Sequence, residues 1–248
     1  MAATNYKIFN WGAATNDGVD EQYIAAIQVR AKRSTVCHYT VANEYVCQEV
    51  GRAIGLPIPV GVTIDKDGVV FYASMDFNLS GQGLPPADSQ AVINDLPELS
   101  LGIVMFDIWI GNRDRHEGNI SYNRDTKTLH LYDHGQSLLW PDGIESVDKV
   151  NGSLGIAEHC LADKLKLFDS RVMWYNRINA LPDYFIRDTV RDAVSMGLPR
   201  DNETDVANHL IERRSELLGL IACNRSAFHA ADATLFDNWG GEYLDYCI

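Results

Sequence analysis

The sequence predicts an α+β fold of two unequal lobes around a cleft. Three observations predict it. Roughly the first 75 residues carry short β-branched and aromatic runs with one helical stretch, while the remainder carries mainly helical periods. A Gly/Pro-rich stretch, Ser80 to Pro86, separates the two and is the best boundary or hinge. A chain of 248 residues is at the upper end for one domain and long enough for two unequal ones. The expected division is 1–78 for a strand-rich amino-terminal lobe and 79–248 for a helical carboxyl-terminal lobe.

Within the first lobe, residues 5–10 read as a strand, residues 11–18 as a turn rich in Gly, Asn and Asp, and residues 23–29 as a second strand. The connection holds Gly12, Ala13, Ala14 and Thr15, small residues whose backbone N–H groups suit phosphates, or simply a plain hairpin. Residues 39–54 place Val46, Val50, Ala53 and Ile54 at helical spacing, and Gly55, Pro57 and Pro59 stop the helix. Residues 61–64 and 69–74 flank Asp67-Gly68, a hairpin signal.

Beyond the boundary, the apolar run Leu99–Ile110 reads as a buried helix that ends at Gly111-Asn112. Residues 127–132 read as a strand, and residues 161–168, 185–196 and 205–223 as helices. The tail from Ala227, with Trp239, Tyr243 and Tyr246, has no period.

Composition narrows the function classes. The net charge of −13, from 34 acids and 21 bases, disfavours general binding to nucleic acid or to anionic membranes. No apolar run approaches the length of a membrane span, and the amino terminus lacks the plan of a signal peptide, so a cytoplasmic protein is expected. The five cysteines (Cys37, Cys47, Cys160, Cys223, Cys247) are scattered and odd in number. Buried thiols in a reducing compartment fit that pattern better than a disulfide framework or a zinc site.

The chemistry gathers in residues 111–137. Asp114 is followed by Asn119 after five positions and by Asp133 after fourteen more. Magnesium takes one or two hard oxygen ligands from protein and completes its shell with phosphates and water. Asn119 and Asp133 suit that task, which leaves Asp114 to accept a proton from, or orient, an acceptor hydroxyl. Each residue has a plain alternative: Asp114 as a loop cap, Asp133 as a turn former, His116 and His134 as loop-orienting hydrogen-bond partners.

Asp114-Arg115-His116-Glu117-Gly118-Asn119 with Tyr132-Asp133 resembles the catalytic and metal-binding loops of HipA-like kinases, and more distantly those of phosphatidylinositol 3- and 4-kinases. Asn43-Glu44, Gly55 to Pro59, Leu181-Pro182, Arg213-Arg214 and Leu217 agree with the same group. The resemblance implies a two-lobed protein-kinase-like fold, ATP and Mg2+ as cofactors, and transfer of the γ-phosphate to a protein serine or threonine. It further implies Asp114 as catalytic acid or base, Asn119 and Asp133 as magnesium ligands, and Gly12, Ala13, Ala14 and Thr15 as the phosphate-covering loop. Met75, Asp76 and Phe77 would form the hinge against adenine. Thr15 is either an autophosphorylation site by analogy or a turn hydroxyl.

One departure bears on activity. Such kinases use a strand lysine for the α- and β-phosphates, and the matching position falls near Arg30, with Lys32 on the same strand face. If neither residue reaches the phosphates, the chain is a pseudokinase: a nucleotide-binding or protein-interaction module. A small-molecule kinase is the other alternative. The acceptor is therefore a protein or a small hydroxyl compound, and the sequence sets no oligomeric state.

Overall fold

The computed structural model describes residues 8–15, 22–35, 37–77, 86–139, 156, 158–166 and 170–231. In the amino-terminal part, β1 (Ile8–Thr15) and β2 (Gln22–Ile27) form an antiparallel pair. A second sheet has the order β3-β5-β4, from β3 (Val29–Lys32), β4 (Gly61–Lys66) and β5 (Val69–Met75). Its register sets Lys32 opposite Tyr72 and Val29 opposite Met75. The β4–β5 turn needs two left-handed residues, and Asp67 (φ 57°) and Gly68 (φ 78°) supply them. Helix α1 (Thr40–Ala53) lies against β4 and β5, with Val46, Cys47 and Val50 buried.

The carboxyl-terminal part is built on α3 (Pro97–Trp109), whose residues from Ser100 to Trp109 are all buried. Helices α2 (Ser89–Asp95), α4 (Arg171–Asn179), α6 (Glu203–Ser215) and α7 (Leu217–Cys223) pack against it, and α5 (Asp183–Ala193) bridges α1 and α6. Between α3 and α4, β6 (Ile120–Asn123) and β7 (Thr128–Leu131) form a small hairpin. The architecture is α+β, a small strand-rich part and a larger helical part.

Several expectations change. Trp11 to Thr15 belong to β1 and not to a turn, because each faces a β2 partner or an irregularity within the ladder. The expected strand at 23–29 is two strands, β2 and β3, parted at Gln28. A separate α2 precedes α3, capped by Asp88, whose carboxylate accepts from the backbone N–H groups of Gln90 and Ala91. Leu96, ahead of Pro97, separates α2 from α3. The expected helix at 205–223 breaks at Glu216 into α6 and α7. In 161–168 the described residues make only a short 3-10 turn, Ala162–Lys164, with 167 and 168 outside the description. Helix α4 was not legible because it buries only Trp174 and Ile178, too few apolar positions for a period.

Residues 80–85 of the expected boundary, and Trp239, Tyr243, Tyr246 and Cys247 of the tail, lie outside the described residues. Cys37, Cys47 and Cys160 are free and buried. Cys223 is disulfide-bonded, against the expectation of thiols alone, so the cysteine pattern no longer argues for a reducing compartment. Pairing depends on proximity in space, which sequence spacing does not display. Among the described residues, no helix is long and apolar enough to cross a membrane.

Candidate active site

Helix α1 turns a polar dipeptide, Asn43-Glu44, into the protein. A buried carboxylate needs partners that outweigh its lost hydration. Glu44, 2% exposed, accepts from Lys32 Nζ of β3 and, at 3.1 Å, from the backbone N–H of His134. Lys32 Nζ also lies 3.0 Å from Asp133 Oδ1, so one ammonium bridges α1 and the segment after β7. Burial works to raise the Glu44 pKa, but the His134 side chain, with Nδ1 3.8 Å from Glu44 Oε2, and the Lys32 charge outweigh it and hold the group at about 2. Burial likewise works to lower the Lys32 pKa, and the Glu44 and Asp133 carboxylates raise it instead. Both partners of the Lys32–Glu44 pair are therefore charged at neutral pH.

Arg30, two residues earlier, points elsewhere. Its Nε lies 3.2 Å from Asp76 Oδ1 and its side chain is 62% exposed. Of the two cations singled out from the sequence, Lys32 is the one that reaches the two acids. Both line a cavity of about 240 Å³ together with Met75, Asp76, Phe77 and Asp133. Ala31, Ile58, Pro59, Tyr72 and Leu131 add apolar wall, and a mostly apolar cleft with a few convergent charges is the usual form of a small-molecule site. The end of β5 is fixed by Met75 N–H to the Val60 carbonyl (2.8 Å) and Asp76 N–H to the Gln28 carbonyl (3.0 Å). The Phe77 ring stacks on His130, with centroids 4.4 Å apart.

The loop after α3 is organised by a fully buried acid. Asp107 accepts from Arg115 Nε (2.8 Å) and Nη2 (3.2 Å), from Asn112 Nδ2 (2.8 Å), and meets His159 Nε2 at 3.0 Å. Backbone N–H groups of Leu161 and Ala162 donate to His159 Nδ1, which leaves the ring proton on Nε2, toward Asp107. Burial works to raise the Asp107 pKa, but the Arg115 guanidinium and His159 hold it below the usual carboxylate range. Arg115 Nη1 then donates to the Asn119 carbonyl (2.9 Å) and the Tyr132 carbonyl (2.8 Å). A single guanidinium thus ties the Asn119 turn to the residue before Asp133.

Asn119 Nδ2 donates to the Asp114 carbonyl at 2.7 Å, which fixes the rotation of the amide. The Asp114 carboxylate is partly exposed; Oδ2 accepts from Gln136 Nε2 (3.0 Å), and Oδ1 lies 3.9 Å from His116 Nε2. Asp133 holds φ at 61°, and its side chain is 45% exposed beside the cavity. Left-handed backbone at a residue other than glycine is tolerated best by Asp and Asn, and it clusters at functional sites.

The structure therefore joins Lys32, Asp133 and Met75 to Phe77 in one cavity, and ties Asp114 and Asn119 to it through Arg115. Gly12, Ala13 and Ala14 lie exposed on β1 and are not among the cavity's lining residues. Thr15 ends that strand opposite Gln22. The motif names Arg115 and Asn43 without a role, and no sequence spacing points to Asp107, Gln136 or His159 as partners of the site. A signal existed for Asp107, the only charged residue inside the apolar run 99–110.

Among solved structures, the Helicobacter pylori proinflammatory kinase CtkA matches with a TM-score of 0.53 and 14% identity, over 79% of this chain and 89% of that one. The fold is kinase-like. A chain of the Shewanella oneidensis MR-1 toxin–antitoxin complex of HipA, HipB and operator DNA matches with a TM-score of 0.37 and 13% identity, over 100% of this chain and 64% of that one. No family model and no curated protein matches the sequence. At such identity the kinase-like fold is what the comparison establishes. The two-lobed arrangement follows from it, with the β3-β5-β4 sheet and α1 in the smaller lobe and the helices about α3 in the larger.

Proposed function

We propose that this chain is an ATP- and magnesium-dependent phosphotransferase, with a protein serine or threonine hydroxyl as its acceptor. The observation that carries the proposal is the Lys32 bridge to Glu44 and Asp133 at the cavity. Kinases join a strand lysine to a helix acid and set a metal-binding aspartate nearby. Here the three arrive from 32, 44 and 133, distant in sequence, and the buried Glu44 carboxylate needs the counter-charge that the one-third-exposed Lys32 supplies. The same bridge favours an enzyme over a nucleotide-binding module without transfer.

In this reading Lys32 holds the α- and β-phosphates, while Arg30, engaged by Asp76, is secondary. Met75, Asp76 and Phe77 border adenine. The β1–β2 pair with Gly12, Ala13, Ala14 and Thr15 covers the phosphates. Asp133 and Asn119 supply one carboxylate and one carboxamide oxygen, a donor set that fits magnesium. When bound, magnesium neutralises charge on the β- and γ-phosphates. Asp114, partly exposed and steadied by Gln136, orients the acceptor hydroxyl and takes its proton. The protein acceptor rests on the HipA-like motif, with a small hydroxyl compound as the runner-up.

The test is transfer of radiolabelled γ-phosphate from ATP to the protein itself and to added protein acceptors, with mass spectrometry to locate the phosphate. Asp114→Asn and Asp133→Asn should each abolish it. Full transfer by both variants sinks the assignment.

A further inference from the structure

The buried amide of Asn43 is spent wholly on the segment behind Asp133. Its Nδ2 donates to the Gly135 carbonyl (2.9 Å) and the Leu139 carbonyl (2.8 Å), and its Oδ1 accepts from the Leu139 N–H at 3.4 Å. Its neighbour Glu44 takes the His134 N–H. Two consecutive residues of α1 therefore bind the backbone at 134, 135 and 139. Contact is close: a Cβ at Gly135 would stand 2.9 Å from Thr40 Cγ2. The segment itself is held in sparse backbone conformations, Asp133 at φ 61° and Leu138 at φ 54°. Such residues persist only where surrounding bonds over-determine them. Asn43 is 1% exposed and gives none of these bonds to its own helix, so burying it serves the loop.

We propose that Asn43 is a positioning residue for the metal: it fixes the loop that presents Asp133, so that the Lys32–Glu44 pair and the metal site form as one unit. This rests on the phosphotransferase reading. Groups that orient a metal ligand from behind are worth about 10- to 100-fold in metal affinity.

The experiment reads the thermal shift given by ATP while magnesium is titrated, in wild type, in Asn43→Asp and in Val50→Ala. Asp at 43 replaces two donors with an acceptor facing two carbonyls. Val50→Ala opens a cavity on the same helix, at a side chain with no hydrogen bond to the loop. The half-effect magnesium concentration should rise about 10- to 100-fold in Asn43→Asp and stay at the wild-type value in Val50→Ala. The response of Asn43→Asp to ATP alone should be unchanged. A wild-type magnesium requirement in Asn43→Asp, or an equal rise in Val50→Ala, overturns the proposal while leaving the kinase reading standing. Absence of any magnesium-dependent response to ATP in wild type defeats the kinase reading, and this proposal with it. Hydrogen exchange of the wild type needs no variant. Magnesium added to the ATP-bound protein should slow exchange at 134–139 and in the first half of α1 together, and protection confined to the loop would refute the coupling.

Discussion

Replacing Asp107 with Asn tests whether a single buried ion pair holds the Asp114–Asn119 loop to the residue before Asp133. The change is nearly isosteric, so little packing is lost. What disappears is the counter-charge of Arg115, whose side chain, like that of Asp107, is 0% exposed. Breaking a buried pair by removing one partner costs about 3–5 kcal/mol, because the remaining charge stays desolvated. At about 2–4 °C per kcal/mol for a chain of this size, Tm should fall by roughly 6–20 °C. Urea unfolding followed by the fluorescence of buried Trp109 and Trp174 gives the free energy directly. The double variant Asp107→Leu, Arg115→Met removes both charges and should recover part of the stability. It should not recover phosphate transfer, because the bonds from Arg115 to the Asn119 and Tyr132 carbonyls are gone. A loss below about 1 kcal/mol in Asp107→Asn would refute the reasoning, since a surface pair costs no more than that.

Glu44 sets an acid limit on stability. Its pKa falls from 4.5 to about 2 on folding, so its contribution is complete above 4.5 and is lost as pH drops toward 2. The gap corresponds to about 3 kcal/mol. The stability difference between wild type and Glu44→Gln should shrink across that window, and a difference that stays constant there would contradict it. Lys32→Met should lower phosphate transfer about 100-fold or more in a steady-state assay. An equal loss in Arg30→Met with little loss in Lys32→Met would reverse the assignment of the two. Gly102→Ala sets a Cβ 2.1 Å from Trp174 Cε2 and should cost about 1–3 kcal/mol in urea unfolding, with transfer retained by the folded fraction.

The sequence by itself determined the elements whose signals are local. The Asp67-Gly68 turn, the helix through Glu44, the stop of α3 at Gly111 and the division between strands and helices each rest on residues within a few positions of one another. The Asp114, Asn119, Asp133 spacing was legible for the same reason: its parts occupy one loop, one short turn and the end of one hairpin.

What tertiary structure decided is everything that joins distant residues. Arg30 and Lys32 are equivalent by strand periodicity, and only the placement of α1 and of the β7 end sends Lys32 to Glu44 and Asp133 and Arg30 to Asp76. Asp107 is the one charged residue in the apolar run 99–110, yet its partners come from 112, 115 and 159, which no local period relates. Electrostatic and hydrogen-bond partners are set by distance in space, and chain spacing reports that distance only within a single element.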